Sequence, residues 1–274
     1  MRSVMELPDY ERVIYKRNPL VEVACQVRFP TILKISNQEP FEFQDKIRFK
    51  YPLYEVQKSV SIPGVQNELF QLVQKAGLPL NFQSTTYNFR SENLKWQISL
   101  DKDFIALATT EYKRYESFKE KSQEVLDIFE QVYQPSFYSR IDLKYQDLII
   151  RSNLNIGENK NWVDLIPYHI ASELHTPEIS KSIKTFIKNW EIDINGGKLQ
   201  FKHGLVVAQD PEKGIREPAY LLDADFFTEQ ATRREDVWSS LDQFKESAGK
   251  LFRWSITEQL HSAMEPEPIR SDIR

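Results

Sequence analysis

The feature that most constrains the fold of this chain is a change in the spacing of its apolar residues. Across residues 20–29 apolar side chains stand at every second position, and Pro19 and Pro30 lie on either side. This period of two predicts a strand that is buried on one face. From Tyr115 to Tyr133 apolar residues recur every three or four positions instead, which predicts an amphipathic helix. A chain with both periods predicts a fold in which helices pack against sheets.

Similar patterns continue along the whole chain. Alternating apolar residues and turn residues such as Asn195-Gly196-Gly197 predict further strands and hairpins. The predicted strands are residues 54–62, 85–90, 94–100, 104–110, 140–145, 190–194, 199–201 and 219–227. Helical spacing predicts two short helices, residues 162–174 and 177–188, and a long terminal helix, residues 234–264.

We therefore predict an α+β protein of antiparallel sheets backed by long amphipathic helices, with two similar halves packed together. The polar, turn-rich residues 151–161 set the boundary between an N-terminal α+β half, residues 1–150, and a C-terminal half, residues 151–274. In the terminal helix, Leu241, Phe244 and Leu251 belong to one apolar stripe, which is either core or an interface with a partner. We assign these three residues to the interface.

The composition excludes several classes of protein. A formal net charge of −4 without a block of basic residues argues against general nucleic-acid binding, although a local basic groove stays open. The chain has 8 glycines in 274 residues and lacks the glycine-rich motifs of Walker-type and Rossmann nucleotide binding, although other modes of nucleotide binding stay open; we expect no cofactor. A single cysteine, the absence of a signal-like N-terminus and the absence of a long apolar run predict a cytoplasmic protein without a membrane span.

One constellation is compatible with an enzyme. Asp103 followed by Glu111-Tyr112-Lys113 has the spacing of a metal-dependent nuclease, in which two carboxylates hold Mg²⁺ and a lysine lies near the attacked phosphate. The same residues also fit solvated charges at the point where a strand ends and a helix begins. We keep Asp103, Glu111 and Lys113 as the alternative catalytic set.

Other metal sites have weaker support in the sequence. Asp223 and Asp225 lie two residues apart on a predicted strand, but the Gly-Ser turn that nucleotidyltransferases need is absent. The four histidines do not form a zinc-binding motif. No metal and no catalytic residue is therefore assigned in the main prediction.

The most unusual polar feature is a charged strand face. Arg140, Asp142 and Lys144 occupy three successive positions on one side of a predicted strand, opposite Ile141 and Leu143. They fit either a solvated face with cross-strand ion pairs or a face that binds an anionic ligand or an acidic segment of a partner. We assign Arg140, Asp142 and Lys144 to binding.

Four segments together resemble a family of prokaryotic proteins of about this length that is sporadically distributed among genomes and has no characterised function. The segments are residues 15–22, 107–112, 140–145, and 221–226 with the closing 252–258. The resemblance implies a cytosolic accessory protein of a mobile-element or defence-type gene cluster, such as an anti-phage or toxin–antitoxin system. It supplies no catalytic residues.

The sequence as a whole favours a non-enzymatic binding or assembly protein. Its partner would be another protein or a second copy of the chain, bound through the terminal helix and exposed sheet edges. A metal-dependent nuclease or another phosphate-processing enzyme is the alternative. The two hypotheses differ in whether Asp103, Glu111 and Lys113 converge in the folded chain.

Overall fold

The computed structural model describes residues 4–60, 83–157, 160–210 and 215–268. Within these residues the chain is a mixed α+β protein with antiparallel sheets, which confirms the predicted fold class. The strands are β1 (Val13–Tyr15), β2 (Leu20–Arg28), β3 (Leu53–Val60), β4 (Gln83–Arg90), β5 (Trp96–Asp101), β6 (Phe104–Thr109), β7 (Arg140–Ile150), β8 (Lys188–Ile194), β9 (Gly197–Asp210), β10 (Ile215–Thr228) and β11 (Pro266–Pro268). The α-helices are α1 (Leu33–Asn37), α2 (Phe41–Ile47), α3 (Tyr115–Tyr133), α4 (Pro177–Ser180), α5 (Arg234–Trp254) and α6 (Glu258–Ala263).

The chain divides into two compact units that do not follow the boundary predicted after residue 150. The central unit contains residues 25–140 and 230–234. The terminal unit contains residues 1–24, 141–229 and 235–274. The predicted boundary rested on a polar stretch of sequence, whereas strand pairing joins segments that are far apart along the chain. The predicted likeness of two halves stays a prediction.

The central unit is a sheet with a long helix packed on it. Strands β3, β4, β5 and β6 pair in this order, and each pair is antiparallel. Helix α3 buries one stripe of side chains, among them Phe118 and Phe129. Phe129 packs against Phe29 with ring centroids 4.7 Å apart, and Phe118 stacks on Trp96 at 6.1 Å. The predicted helix Tyr115–Tyr133 is confirmed at both ends.

The terminal unit contains a second set of paired strands. Strands β7, β10, β9 and β8 pair in this order, again antiparallel. The hairpin predicted at Asn195-Gly196-Gly197 is confirmed between β8 and β9, and Gly196 has the positive φ of 80° that such a turn requires. Helix α5 packs on the sheet, with Phe244 against Phe226.

Three predictions of helices are wrong in part. The predicted helix 162–174 is observed only as two short 3₁₀ segments, Trp162–Asp164 and Ser172–His175, because Pro167 interrupts it. The predicted helix 177–188 is observed only as the one-turn helix α4. The terminal helix does not continue to residue 264. It ends at Trp254, and α6 starts after Thr257, whose hydroxyl accepts a hydrogen bond from the backbone N–H of Leu260.

In the described part of the chain, none of the helices combines the length and the apolar character needed to cross a membrane.

The predicted strand over residues 54–62 corresponds to β3, and its residues 61 and 62 lie outside the described residues.

Candidate functional site

A cleft in the central unit is the candidate site. Its cavity volume is about 620 Å³, which is in the range of small-ligand sites. Three segments form its walls: residues 49–52 after α2, the turn 91–93 between β4 and β5, and residues 111–114 with the first turns of α3. Four lining residues are cationic and two are anionic. They are Lys50, Lys113, Arg114 and Lys121, against Glu92 and Glu111.

Strand pairing brings two of these segments together. Trp96, the first residue of β5, lies opposite Thr109, the last residue of β6. The hydroxyl of Thr109 donates to the carbonyl of Lys95 at 2.9 Å and accepts from the backbone N–H of Glu111 at 3.0 Å. Since Thr109 is buried, this hydroxyl ties the β4–β5 turn to the segment that enters α3. Ser91 and Glu111, which are 20 positions apart in the sequence, therefore line the same cleft.

Two polar side chains hold the turn between β4 and β5. The Ser91 hydroxyl accepts from the backbone N–H of Trp96 at 3.0 Å, and Asn93 accepts from the backbone N–H of Lys95 at 3.1 Å. Leu94 takes a φ of 59°, a left-handed conformation that is uncommon for leucine. These contacts fix the wall of the cleft that carries Ser91 and Asn93.

The start of helix α3 is unusual for its charge. Arg114 occupies the N-cap with extended backbone angles, φ −144° and ψ 149°, and no side chain caps the helix. Ser, Thr, Asp and Asn are the preferred residues there, because their oxygens accept from the free backbone N–H groups. The helix dipole places partial positive charge at the same end, so Lys113 and Arg114 add like charge to it. Glu116 is the single acidic residue of the first turn.

The cations of the cleft are poorly neutralised. Lys50 lies 2.5 Å from Glu124. In contrast, the described residues place no carboxylate within ion-pair distance of Lys113, Arg114 or Lys121. All three are exposed. The ammonium of Lys121 lies 4.9 Å from the centroid of the Trp96 ring, a cation–π contact that adds no negative charge.

Aromatic side chains form the floor and one edge of the cleft. The ring of Phe118 is buried, and it stacks on Trp96 and lies 5.9 Å from Tyr112. Trp96 and Tyr112 are half-buried and show part of their rings to the cleft. Phe49 at the edge is 88 % exposed, which is extreme for a phenylalanine. The cleft thus combines an apolar floor with cationic walls.

The alternative catalytic set does not converge. Glu111 and Lys113 both line the cleft, whereas Asp103 lies in the turn between β5 and β6, at the other end of β6. Five residue steps along β6 at about 3.3 Å each separate these ends by roughly 16 Å. Within the residues that the structure describes, no group of three or more His, Cys, Asp or Glu could hold a metal ion.

The charged strand face differs from its prediction. Asp142 is buried with 5 % exposure, which does not fit a solvated face, and its assignment to binding stays a prediction. Lys144 lies opposite Asp225 of β10 and forms an ion pair with the diagonal neighbour Asp223 at 3.2 Å. Arg140 is half-buried at the start of β7. Neighbouring strand β10 neutralises Lys144, since it carries carboxylates at the matching positions.

The predicted interface residues are core residues. Leu241, Phe244 and Leu251 have 2 %, 0 % and 2 % exposure and pack inside the terminal unit. The ring of Phe244 stacks on Phe226 of the underlying sheet. Of the two readings of the stripe, core or interface, the structure therefore supports core.

Two buried polar groups in the terminal unit escaped the sequence analysis. Asp147 has 8 % exposure, and burial raises the pKa of its carboxyl to about 8. His203 is fully buried, and its Nδ1 lies 2.9 Å from the Tyr220 hydroxyl. Burial is the larger cause and the positive charge of Lys188 the smaller cause that lower the pKa of His203 to about 4. Both groups are therefore neutral near pH 7.

The sequence does contain a signal for the cleft residues that were not predicted. Arg114, Ser117, Phe118 and Lys121 stand at positions i, i+3, i+4 and i+7 of α3 and share one helix face. Lys113-Arg114 at a predicted helix start contradicts the usual capping preference, and such local conflicts are typical of functional sites. The β4–β5 wall has no comparable signal, because only strand pairing brings it near.

Comparison with known family models and curated proteins finds no match to this chain. The interpretation of the cleft therefore rests on its own geometry and charge.

Proposed function

We propose that the protein is a non-enzymatic binding protein and that the cleft of the central unit holds an anionic group of its ligand. The observation that carries this proposal is the set of three cations, Lys113, Arg114 and Lys121, that share one cleft without a carboxylate partner in the described residues. Lys113 and Arg114 lie at the positive end of a helix of 19 residues, and Lys121 lies about two turns further along it.

This arrangement costs stability in the unbound protein. Like charge near a helix N-terminus is unfavourable by about 0.3–1 kcal/mol per group, and an unfilled N-cap costs about 1 kcal/mol. A bound carboxylate or phosphate would reverse both effects, since it would accept hydrogen bonds from the backbone N–H groups and pair with the cations. The site is thus better suited to an anion than to water.

The geometry gives less support to the nuclease. Glu111 and Lys113 are in place, but Asp103 is not, and a two-carboxylate metal site needs both acids. We therefore expect no divalent-metal-dependent cleavage of DNA or RNA by the purified protein. Cleavage that disappears in Glu111→Ala, in protein that stays folded, would restore the nuclease.

The resemblance to a prokaryotic family suggests the setting. We propose that the protein acts as an accessory component of a mobile-element or defence-type system, where a binding protein joins other components. Association with a second copy of the chain remains part of this proposal.

Calorimetric titration of the full chain with inorganic pyrophosphate tests the proposed binding site. The double variant Lys113→Gln and Arg114→Gln should bind roughly tenfold more weakly or worse, if each exposed charge contributes about 0.5–1 kcal/mol. Lys102→Gln is the matched control, because Lys102 lies in the β5–β6 turn outside the cleft. No binding by the wild type, or equal loss in the control, would contradict the proposed site.

A further inference from the structure

The cations of the cleft have a defined spacing. Arg114 and Lys121 are seven residues apart on one face of α3, so their Cα atoms lie about 10 Å apart along the helix axis. Between them on the same face stand Ser117 and the buried ring of Phe118. The cleft therefore has a cationic group at each end of an apolar floor.

An extended peptide reproduces this spacing. In a polyproline II conformation, residues i and i+3 project from the same side and lie about 9 Å apart. Two acidic residues at these positions would reach the two cations together. The two residues between them project to the flanks of the peptide, and one of them would contact the half-buried rings of Trp96 and Tyr112, where an apolar side chain loses contact with water.

We propose that the cleft binds an extended acidic segment of a partner protein, with two carboxylates three residues apart held by Arg114 and Lys121 and an apolar side chain between them against Trp96 and Tyr112. This inference rests on the proposed function and names the partner that the same cleft takes. The peptide carboxylate that pairs with Arg114 would also lie at the uncapped N-terminus of α3, where the backbone N–H groups strengthen its binding.

The features of the cleft favour a peptide over single-stranded nucleic acid. Nucleic-acid grooves offer aromatic faces on which successive bases stack. Here the cleft shows only part of two rings, Trp96 and Tyr112, and Trp96 already contacts Phe118 and Lys121, so one apolar side chain can be accommodated but a row of stacked bases cannot. Glu92 and Glu111 on the walls also repel a polymer that carries a charge on every unit, whereas a peptide with two spaced charges can avoid them.

Fluorescence anisotropy with a labelled octapeptide, Gly-Ser-Glu-Pro-Trp-Glu-Ser-Gly, tests the inference on the full chain. Three peptide controls replace both Glu by Gln, replace Trp by Ala, or place the two Glu side by side. An eight-residue oligo(dT) with the same label represents nucleic acid. The protein variants are Lys121→Glu and, as the matched control, Lys102→Glu, and circular dichroism checks that each is folded.

We expect the acidic peptide to bind the wild type and the Lys102→Glu control equally, and to bind Lys121→Glu at least tenfold more weakly. Each of the three control peptides should also bind at least several-fold more weakly. Tighter binding of oligo(dT) than of the peptide, or unchanged peptide binding by Lys121→Glu, would overturn the inference.

The two proposals fail separately. If pyrophosphate binds in the cleft and no peptide does, the acidic-segment inference is wrong while the anion site stands. If neither probe binds, both proposals are wrong.

Discussion

Replacing Arg114 by Asp should make the protein more stable. The N-cap of α3 has the extended backbone of a capped helix but lacks a capping side chain. An Asp carboxylate at this position can accept from the backbone N–H groups of the first turn. It also reverses the sign of the charge that faces the positive end of the helix dipole.

The size of the gain follows from these two effects. A capping side chain is worth about 1 kcal/mol, and the change of charge adds about 0.3–1 kcal/mol at an exposed site. We therefore expect the free energy of unfolding to rise by about 1–2 kcal/mol. For a urea m-value of about 3 kcal/mol/M, the denaturation midpoint moves up by roughly 0.5 M.

Urea denaturation followed by circular dichroism measures this shift, and two further variants separate its causes. Arg114→Gln should give only the small part that comes from removing the positive charge, and Arg114→Asn should add the capping part to it, so the difference between the two variants measures capping. A midpoint that stays the same or falls in Arg114→Asp would refute the view that the helix start is strained by uncompensated charge.

Three further predictions concern the terminal unit. Burial raises the pKa of Asp147 from 3.8 to about 8 in the folded protein. Between these two pH values the folded protein keeps a proton that the unfolded chain loses, so the free energy of unfolding falls by up to about 1.4 kcal/mol per pH unit as the pH rises. Asp147→Asn should remove this slope and stabilise the protein near pH 7; denaturation at about pH 5 and about pH 7.5 checks it, and an unchanged slope contradicts it. Phe244→Ala should cost about 3–5 kcal/mol in denaturation experiments, because the ring is fully buried against Phe226, whereas a loss below about 1 kcal/mol would mean that α5 does not pack as described. Thr257→Ala should cost about 1 kcal/mol through loss of the cap that accepts from Leu260, and Thr257→Ser, which retains the hydroxyl, should restore the wild-type denaturation midpoint.

The elements that the sequence predicts well are those with a regular apolar period. The strand over residues 20–29 and the helix Tyr115–Tyr133 are both observed, the first as Leu20–Arg28. In each, one face is buried and the other is not, so the periodicity reports the structure directly. The glycine turn between β8 and β9 was predictable for a different reason, since two-residue hairpins need positive φ.

Helix ends were harder to predict than helices. The apolar stripe of the terminal helix continues past Trp254, yet the helix ends there and a new one starts at Glu258. The Ser255 hydroxyl donates to the carbonyl of Leu251, and Thr257 caps the next helix. Local hydrogen bonds of this kind compete with helix continuation and do not change the apolar pattern.

The candidate site was predictable only in part. Glu111 and Lys113 were singled out from their spacing, and both do line the cleft. Their neighbours Arg114 and Lys121 were not, because a cation on a helix face is usually a solvated surface residue. What makes them a site is the turn 91–93, and only the pairing of β5 with β6 places it opposite them.

The proposed binding of an acidic ligand depends on the cations at the start of α3, Lys113 and Arg114, which have no carboxylate partner among the described residues. The most direct measurement is the affinity of the acidic octapeptide for Arg114→Asp relative to the wild type, at one fixed salt concentration. We expect this more stable variant to bind at least tenfold more weakly, a loss of affinity that unfolding could not explain. Equal affinity in the two proteins would contradict the claim, because the charge at Arg114 would then play no part in binding.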